Sequence, residues 1–225
     1  MTTKKATARM HWARFRPERH EVGMEYLAGD GAFFCESQNR FSHIALEELL
    51  LAEDRLILHA SFIESRFGGL LFTGPCGVGK STQAALWERF EDACLINGDR
   101  PVLSRGERGW TAHGSPYAGS SRCFINRSLP VRAIVALSQG ERCDICRIGL
   151  GEAFRRLYAG TTLNTWNAAY VERVCTLLGE LAAAVPVYRM QCTPDEAAVK
   201  TLRAELEKAE LEKEGSRDGF KGGTL

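Results

Sequence analysis

A chain of 225 residues is long enough to bury a substantial core as one domain. Its 29 basic residues almost cancel 28 acidic ones, so bulk charge points to neither nucleic acid nor membrane as a partner. No run of about 18 apolar residues predicts a transmembrane helix, and no hydrophobic segment stands behind the basic N-terminus as a secretory signal would, so the expected compartment is the cytoplasm.

In chain order, residues 1–23 read as a basic arm carrying Lys4, Lys5, Arg9, Arg14, Arg16 and Arg19. Such an arm suits an acidic partner, or is a plain terminus with Trp12 and Phe15 folded onto the domain. Residues 24–214 are expected to form a single nucleotide-binding domain, and 215–225 a disordered tail. From Met24 to Asp54 the pattern predicts a short strand, a loop and a helix through Leu46, Leu49 and Leu50. Arg55–Ile63 is a strand-like run containing His59, and Gly69–Thr73 is a second; with a turn near Glu64–Gly68 they predict a hairpin.

The hairpin leads into Gly74-Pro-Cys-Gly-Val-Gly-Lys-Ser81, which fits the pattern GxxxxGK[ST] of a phosphate-binding loop. Gly74, Gly77 and Gly79 permit positive φ and close backbone approach, so amide N–H groups can converge on phosphate oxygens. Lys80 adds a point charge, Ser81 offers a hydroxyl to Mg²⁺, and Cys76, Val78 and Thr82 complete the loop and the start of the helix behind it. That helix is marked by Ala84, Leu86, Trp87 and Phe90 at helical spacing. The plain alternative is a glycine-rich turn that caps a helix. Oxidation or alkylation of Cys76 would block nucleotide binding.

Cys94–Asp99 reads as a short apolar strand that ends in a carboxylate. An Asp at such a strand tip can hold Mg²⁺ or take a proton from an attacking hydroxyl, although Asn-Gly-Asp is also good turn chemistry. A hairpin is expected from Pro101–Ser104 and Gly109–His113. The following loop, 114–121, either presents Ser115, Tyr117, Ser120 and Ser121 as candidate substrate contacts or is a plain connection, while a lone His113 reads as structural. Arg122, Arg127 and Arg132 follow within eleven positions, and the plain reading of Arg127 is a surface arginine ahead of the next strand. Strands are expected at Val131–Leu137, Arg142–Ile148 and Pro186–Cys192. Cys143 and Cys146 form a CxxC without the partner pair a zinc ribbon requires. A short helix is expected over Glu152–Leu157, and a longer one with Leu163, Trp166, Tyr170, Val174, Leu177 and Leu181 along one face. A last helix, capped by Thr193-Pro-Asp-Glu196, follows through Val199, Leu202, Leu206 and Ala209.

The stretch from His59 to Ser81 resembles, without a gap, the segment of HPr (histidine-containing phosphocarrier protein) kinase/phosphorylase that runs from a histidine to the end of its phosphate loop. Cys94–Asp99 is similar to the paired aspartates of that family and to the Ile-Gly-Asp-Asp motif of ATP-dependent phosphoenolpyruvate carboxykinase, with Gly98 standing where the first Asp would be. Arg127-Ser-Leu-Pro130 resembles the carboxykinase arginine that reaches the transferred phosphoryl group. The likeness is strongest over 55–137, and looks closest to short HPr-kinase-like proteins, some of which phosphorylate a serine of a precursor peptide. It implies an α/β fold with a P-loop kinase core, a mixed central sheet and flanking helices. It also implies ATP and Mg²⁺ as cofactors and a peptide or small-molecule hydroxyl as acceptor. Lys80, Asp99, His59 and Arg127 would be catalytic, with Asp99 or His59 as base, and Ser81 and Asp99 would hold the metal. The number of subunits stays open. A regulatory nucleotide switch without an acceptor is the alternative; a decarboxylating carboxykinase would need a far longer chain.

Overall fold

The hairpin expected ahead of the glycine-rich loop lies in the middle of the sheet. The structure, a computed structural model, describes residues 11–16, 21–35, 37–44 and 46–218. Lys4, Lys5, Arg9 and Arg19, the side chains of residues 11–16, and the segment 219–225 lie outside the described residues.

Within the expected arm, β1 (His11–Arg16) pairs antiparallel with β2 (Glu21–Tyr26) as a separate two-stranded ribbon. The short strand expected from Met24 is the end of β2, but a 3-10 turn at Ala28–Asp30 and three short helices, α1 (Gly31–Cys35), α2 (Ser37–His43) and α3 (Leu46–Leu51), stand where a loop and one helix are expected. Phe33, Phe34 and His43 meet edge to face at centroid distances of 5.0–5.5 Å and close this segment on itself.

The run expected as one strand over Arg55–Ile63 is two, β3 (Arg55–Ile57) and β4 (Ala60–Ser65). Between them the Leu58 N–H donates to Pro101 O and the His59 N–H to Gly160 O, so the chain changes neighbours at His59. Next come β5 (Gly68–Thr73), α4 (Lys80–Glu91), β6 (Cys94–Asn97) and the hairpin β7 (Val102–Gly106) and β8 (Gly109–His113). The chain continues as β9 (Ser128–Gln139), β10 (Asp144–Arg147), α5 (Leu150–Gly160), α6 (Ala168–Ala184), β11 (Val187–Cys192) and α7 (Glu196–Asp218).

The nine-stranded sheet is mixed, in the order β3-β7-β8-β9-β5-β4-β6, with β11 and then β10 joined to β9. With its 12 residues, β9 takes β8 antiparallel over Ser128–Pro130 and β11 parallel over Ile134–Gln139, while β5 runs parallel along it. Helices cover both faces of the sheet. Phe62, Leu71, Ile134 and Val187 pack with Leu157, Val174, Leu177 and Leu181 of α5 and α6. Ile63, Leu70, Phe72 and Val135 face the other way, onto Trp87 of α4 and Val199, Leu202 and Leu206 of α7. Successive residues divide between the two cores as the period of two requires.

Some expectations at the edges are corrected. The Asn167 side chain accepts from the Tyr170 N–H and caps α6, which leaves Leu163 and Trp166 ahead of the helix, and Trp166 is 77% exposed. Asp195 rather than Thr193 caps α7, because its carboxylate accepts from the Ala197 N–H at 3.0 Å and the Thr193 hydroxyl at 2.9 Å. This helix runs past Gly215 to Asp218, into the expected tail. Cys143 and Cys146 flank and join β10, and no group of three or more potential metal ligands occurs among the described residues. No described helix is long and apolar enough to cross a membrane.

Candidate active site

Strand direction brings the site together. The antiparallel β4 lies between β5 and β6, so its beginning falls at the same sheet edge as their ends. His59 at the start of β4, Gly74 after β5 and Asp99 after β6 therefore converge there.

The loop from Gly74 to Gly79 has φ of +144° at Gly74, +76° at Gly77 and +109° at Gly79, all disfavoured for a residue with Cβ. A Cβ added at Gly77 or Gly79 would meet no atom within 4 Å, so the space above the loop is open. Lys80 turns back over the loop, its ammonium donating to Gly74 O at 3.0 Å and Pro75 O at 3.1 Å. Burial lowers the Lys80 pKa, and the negative charge of Asp99 opposes that shift.

A cavity of about 300 Å³ opens between loop and carboxylate, lined by His59, Cys76, Gly77, Gly79, Lys80, Ser81, Thr82, Gly98, Asp99, Ala118 and Ser121. Val78 packs inward, its side chain 3.1 Å from where a Gly74 Cβ would be. Asp99 is fixed from several sides. Its Oδ1 lies 3.1 Å from His59 Nε2 and its Oδ2 3.4 Å from Arg100 Nε. Burial disfavours the Asp99 carboxylate, but the His59 hydrogen bond and the charges of Arg100 and Lys80 outweigh it and hold its pKa below the usual range. The Asn97 carboxamide, fully buried, accepts the N–H groups of Asp99 at 3.0 Å and Arg100 at 2.7 Å and donates to Ser115 O at 2.7 Å. Asn-Gly-Asp is thus both a turn and the mount of the carboxylate.

Arg100 directly follows Asp99 but carries no motif signal in the sequence. It donates to Thr162 Oγ1 at 2.8 Å, and its guanidinium lies 5.0 Å from the Tyr117 ring centroid. Arg127 is not brought to the cleft. It pairs with Glu64 near the hairpin turn, where Glu64 faces Gly69, about 13 Å along β4 from the His59 end. Ser115 is also removed from the candidate substrate contacts: it is buried, and its hydroxyl donates to Arg100 O at 2.7 Å. Tyr117 is buried beneath Arg100 rather than lining the cavity. The side chain of Ser120 lies outside the described residues, whereas Ser121 lines the cavity. His113 bonds Ser104 and Ser128, each at 2.7 Å.

Fold and site together describe a mixed α/β protein with a glycine-rich loop and a half-buried carboxylate sharing one cleft. No family model and no curated protein matches the chain. Among solved structures, the HPr(Ser) kinase/phosphatase from Coxiella burnetii is similar to it at 15% sequence identity and a TM-score of 0.46, over 75% of this chain and 99% of that one.

Proposed function

We propose that the chain is a Mg²⁺-dependent phosphotransferase that moves the γ-phosphoryl group of ATP to a hydroxyl of a peptide serine or small molecule. The observation that carries this reading is the sharing of one cavity by Lys80, Ser81, Asp99 and His59. The residues fit the reactants. Positive-φ glycines leave amides and open space for phosphates, and the Ser81 hydroxyl with the Asp99 carboxylate is a hard oxygen pair of the kind Mg²⁺ prefers.

Bound Mg²⁺ supplies charge neutralisation on the phosphate oxygens. Lys80, freed from the Gly74 and Pro75 carbonyls it bonds here, balances further phosphate charge. Asp99, kept ionised by His59 and Arg100, accepts a hydrogen bond from the acceptor hydroxyl and takes its proton as the new P–O bond forms. A carboxylate of low pKa suffices because phosphoryl transfer passes through a loose transition state, in which positioning and charge do most of the catalysis. Lys80 and Arg100 are the cations assigned to this site, and Arg127 is left to its pairing with Glu64.

Incubation of the full chain with γ-labelled ATP, Mg²⁺ and a panel of sugars, polyols, amino acids and serine-containing peptides tests the reading. Label on an acceptor is the expected result. Label released only to water would instead identify a nucleotide-hydrolysing switch.

A further inference from the structure

The cavity contains a hydroxyl of the protein's own. Among the described side chains, Ser81 and Ser121 are the serines that line it. Ser81 opens α4, but Ser121 stands at the Asp99 side: a Cβ added at Gly98 would fall 2.0 Å from Ser121 Oγ, so the hydroxyl fills the space a side chain at 98 would need. Its turn is tightly specified. Gly119, φ +60°, lies against the Asp99 carboxyl, and Arg122, φ +51°, is one of three non-glycine residues in the left-handed region among those described. The Ser121 hydroxyl donates to Ala118 O at 2.7 Å and accepts from the Cys123 N–H at 3.3 Å, which leaves one of its two lone pairs unused.

Resting on the phosphotransferase reading, we propose that Ser121 is a self-phosphorylation site, taking the γ-phosphoryl group of a nucleoside triphosphate when no external acceptor is present. Ser121 Oγ forms the bond to γ-phosphorus while the bond from γ-phosphorus to the β,γ-bridging oxygen breaks. The nucleoside diphosphate leaves with that electron pair, and the hydroxyl proton passes to the Asp99 carboxylate. The phosphoserine then sets negative charge beside Asp99 and fills the acceptor position, so the modified cleft is inhibited.

The test incubates the full chain with Mg²⁺ and ATP without acceptor and maps phosphate by peptide mass spectrometry. Phosphoserine at 121, absent from Asp99→Asn and diminished by added acceptor, is the expected result. Ser121 left unmodified in the acceptor-free incubation while a parallel incubation labels an external acceptor, or phosphate on another serine, overturns the proposal and leaves the phosphotransferase reading standing; no transfer to anything overturns both. As a readout independent of turnover, Ser121→Asp is expected to weaken binding of a fluorescent ATP analogue on the order of tenfold, by charge repulsion from the phosphates and Asp99. Unchanged binding refutes the self-inhibition.

Discussion

Gly119→Ala separates the placement of the Asp99 carboxylate from its presence. A Cβ at 119 would lie 2.7 Å from both Asp99 Cγ and Asp99 Oδ2, roughly 1 Å inside ordinary contact. The carboxyl must turn, and in turning it gives up the 3.1 Å contact with His59 and the 3.4 Å contact with Arg100. Two costs combine. A left-handed alanine costs about 1–2 kcal/mol, and overpacking adds about 1–3 kcal/mol. For a chain of this length about 2–5 kcal/mol lowers Tm by about 4–20 °C. The loss of a positioned proton acceptor should lower phosphoryl transfer about a hundredfold or more, well beyond what reduced stability explains below the melting transition. Gly109→Ala is the control. Its φ is +109°, outside the ordinary left-handed region, and an added Cβ meets nothing within 4 Å, so it introduces backbone strain without touching the site. Calorimetry gives the Tm of each variant, and transfer of labelled phosphate at 25 °C gives turnover. Equal turnover in the two variants would refute the assignment of a positioned Asp99 to the chemistry.

Asp99→Asn should abolish transfer while nucleotide affinity stays within several-fold, whereas Lys80→Ala should weaken both; titration with a fluorescent ATP analogue beside the transfer assay distinguishes them, and retained turnover in the Asp99 variant contradicts the mechanism. The depressed pKa of Asp99 also fixes a sign for pH dependence. Because its folded value lies below the unfolded one of about 3.9, the ionised group stabilises the fold above that pH and loses its contribution as pH falls through the folded value. Urea midpoints of wild type and Asp99→Asn should therefore approach one another as pH drops from about 5 to 3, and a gap that widens would show the opposite shift. Asn97→Ala strands the N–H groups of Asp99 and Arg100 and the Ser115 carbonyl. At about 1–3 kcal/mol for an unsatisfied buried group, a loss of about 3 kcal/mol or more is expected in denaturant unfolding, and a loss below about 1 kcal/mol would mean that water replaces the carboxamide.

The parts of the site legible in the sequence are those whose backbone demands are local. Gly74, Gly77 and Gly79 signal positive φ by residue type, and the apolar runs at 55–63 and 69–73, with a short turn between them, signal a hairpin. Arg127 stands out in the sequence by its chemistry and its likeness, but its place depends on a non-local pairing: His113 opposite Ser128 sets where β9 begins, and that puts Arg127 beside Glu64. Arg100 carried no periodic or motif signal. Its role follows from tertiary neighbours, Thr162 and Tyr117, that lie 62 and 17 positions away. The apparent single strand at 55–63 hid a change of partners because both halves are equally apolar, and only the hydrogen bonds at Leu58 and His59 reveal it.

Buried polar side chains show what the core gives up to hold the cleft. Ser61, Thr73, Lys80, Asn97 and Ser115 are all less than 10% exposed. Each of them bonds main chain at residues 59, 74, 75, 98, 99 or 100: Ser61 to Gly98 O, Thr73 to His59 O, Lys80 to Gly74 O and Pro75 O, Asn97 to the Asp99 and Arg100 N–H groups, and Ser115 to Arg100 O. Apolar residues at strand positions 61, 73 and 97 would bury more hydrophobic surface without desolvating a polar group. The polar choices instead tie the ends of β5 and β6 to the start of β4, and a fully satisfied network of this kind makes the backbone rigid where the reacting groups must be preorganised. Stability is given up where three chain segments meet, and that junction is where the loop, the carboxylate and His59 need fixed separations.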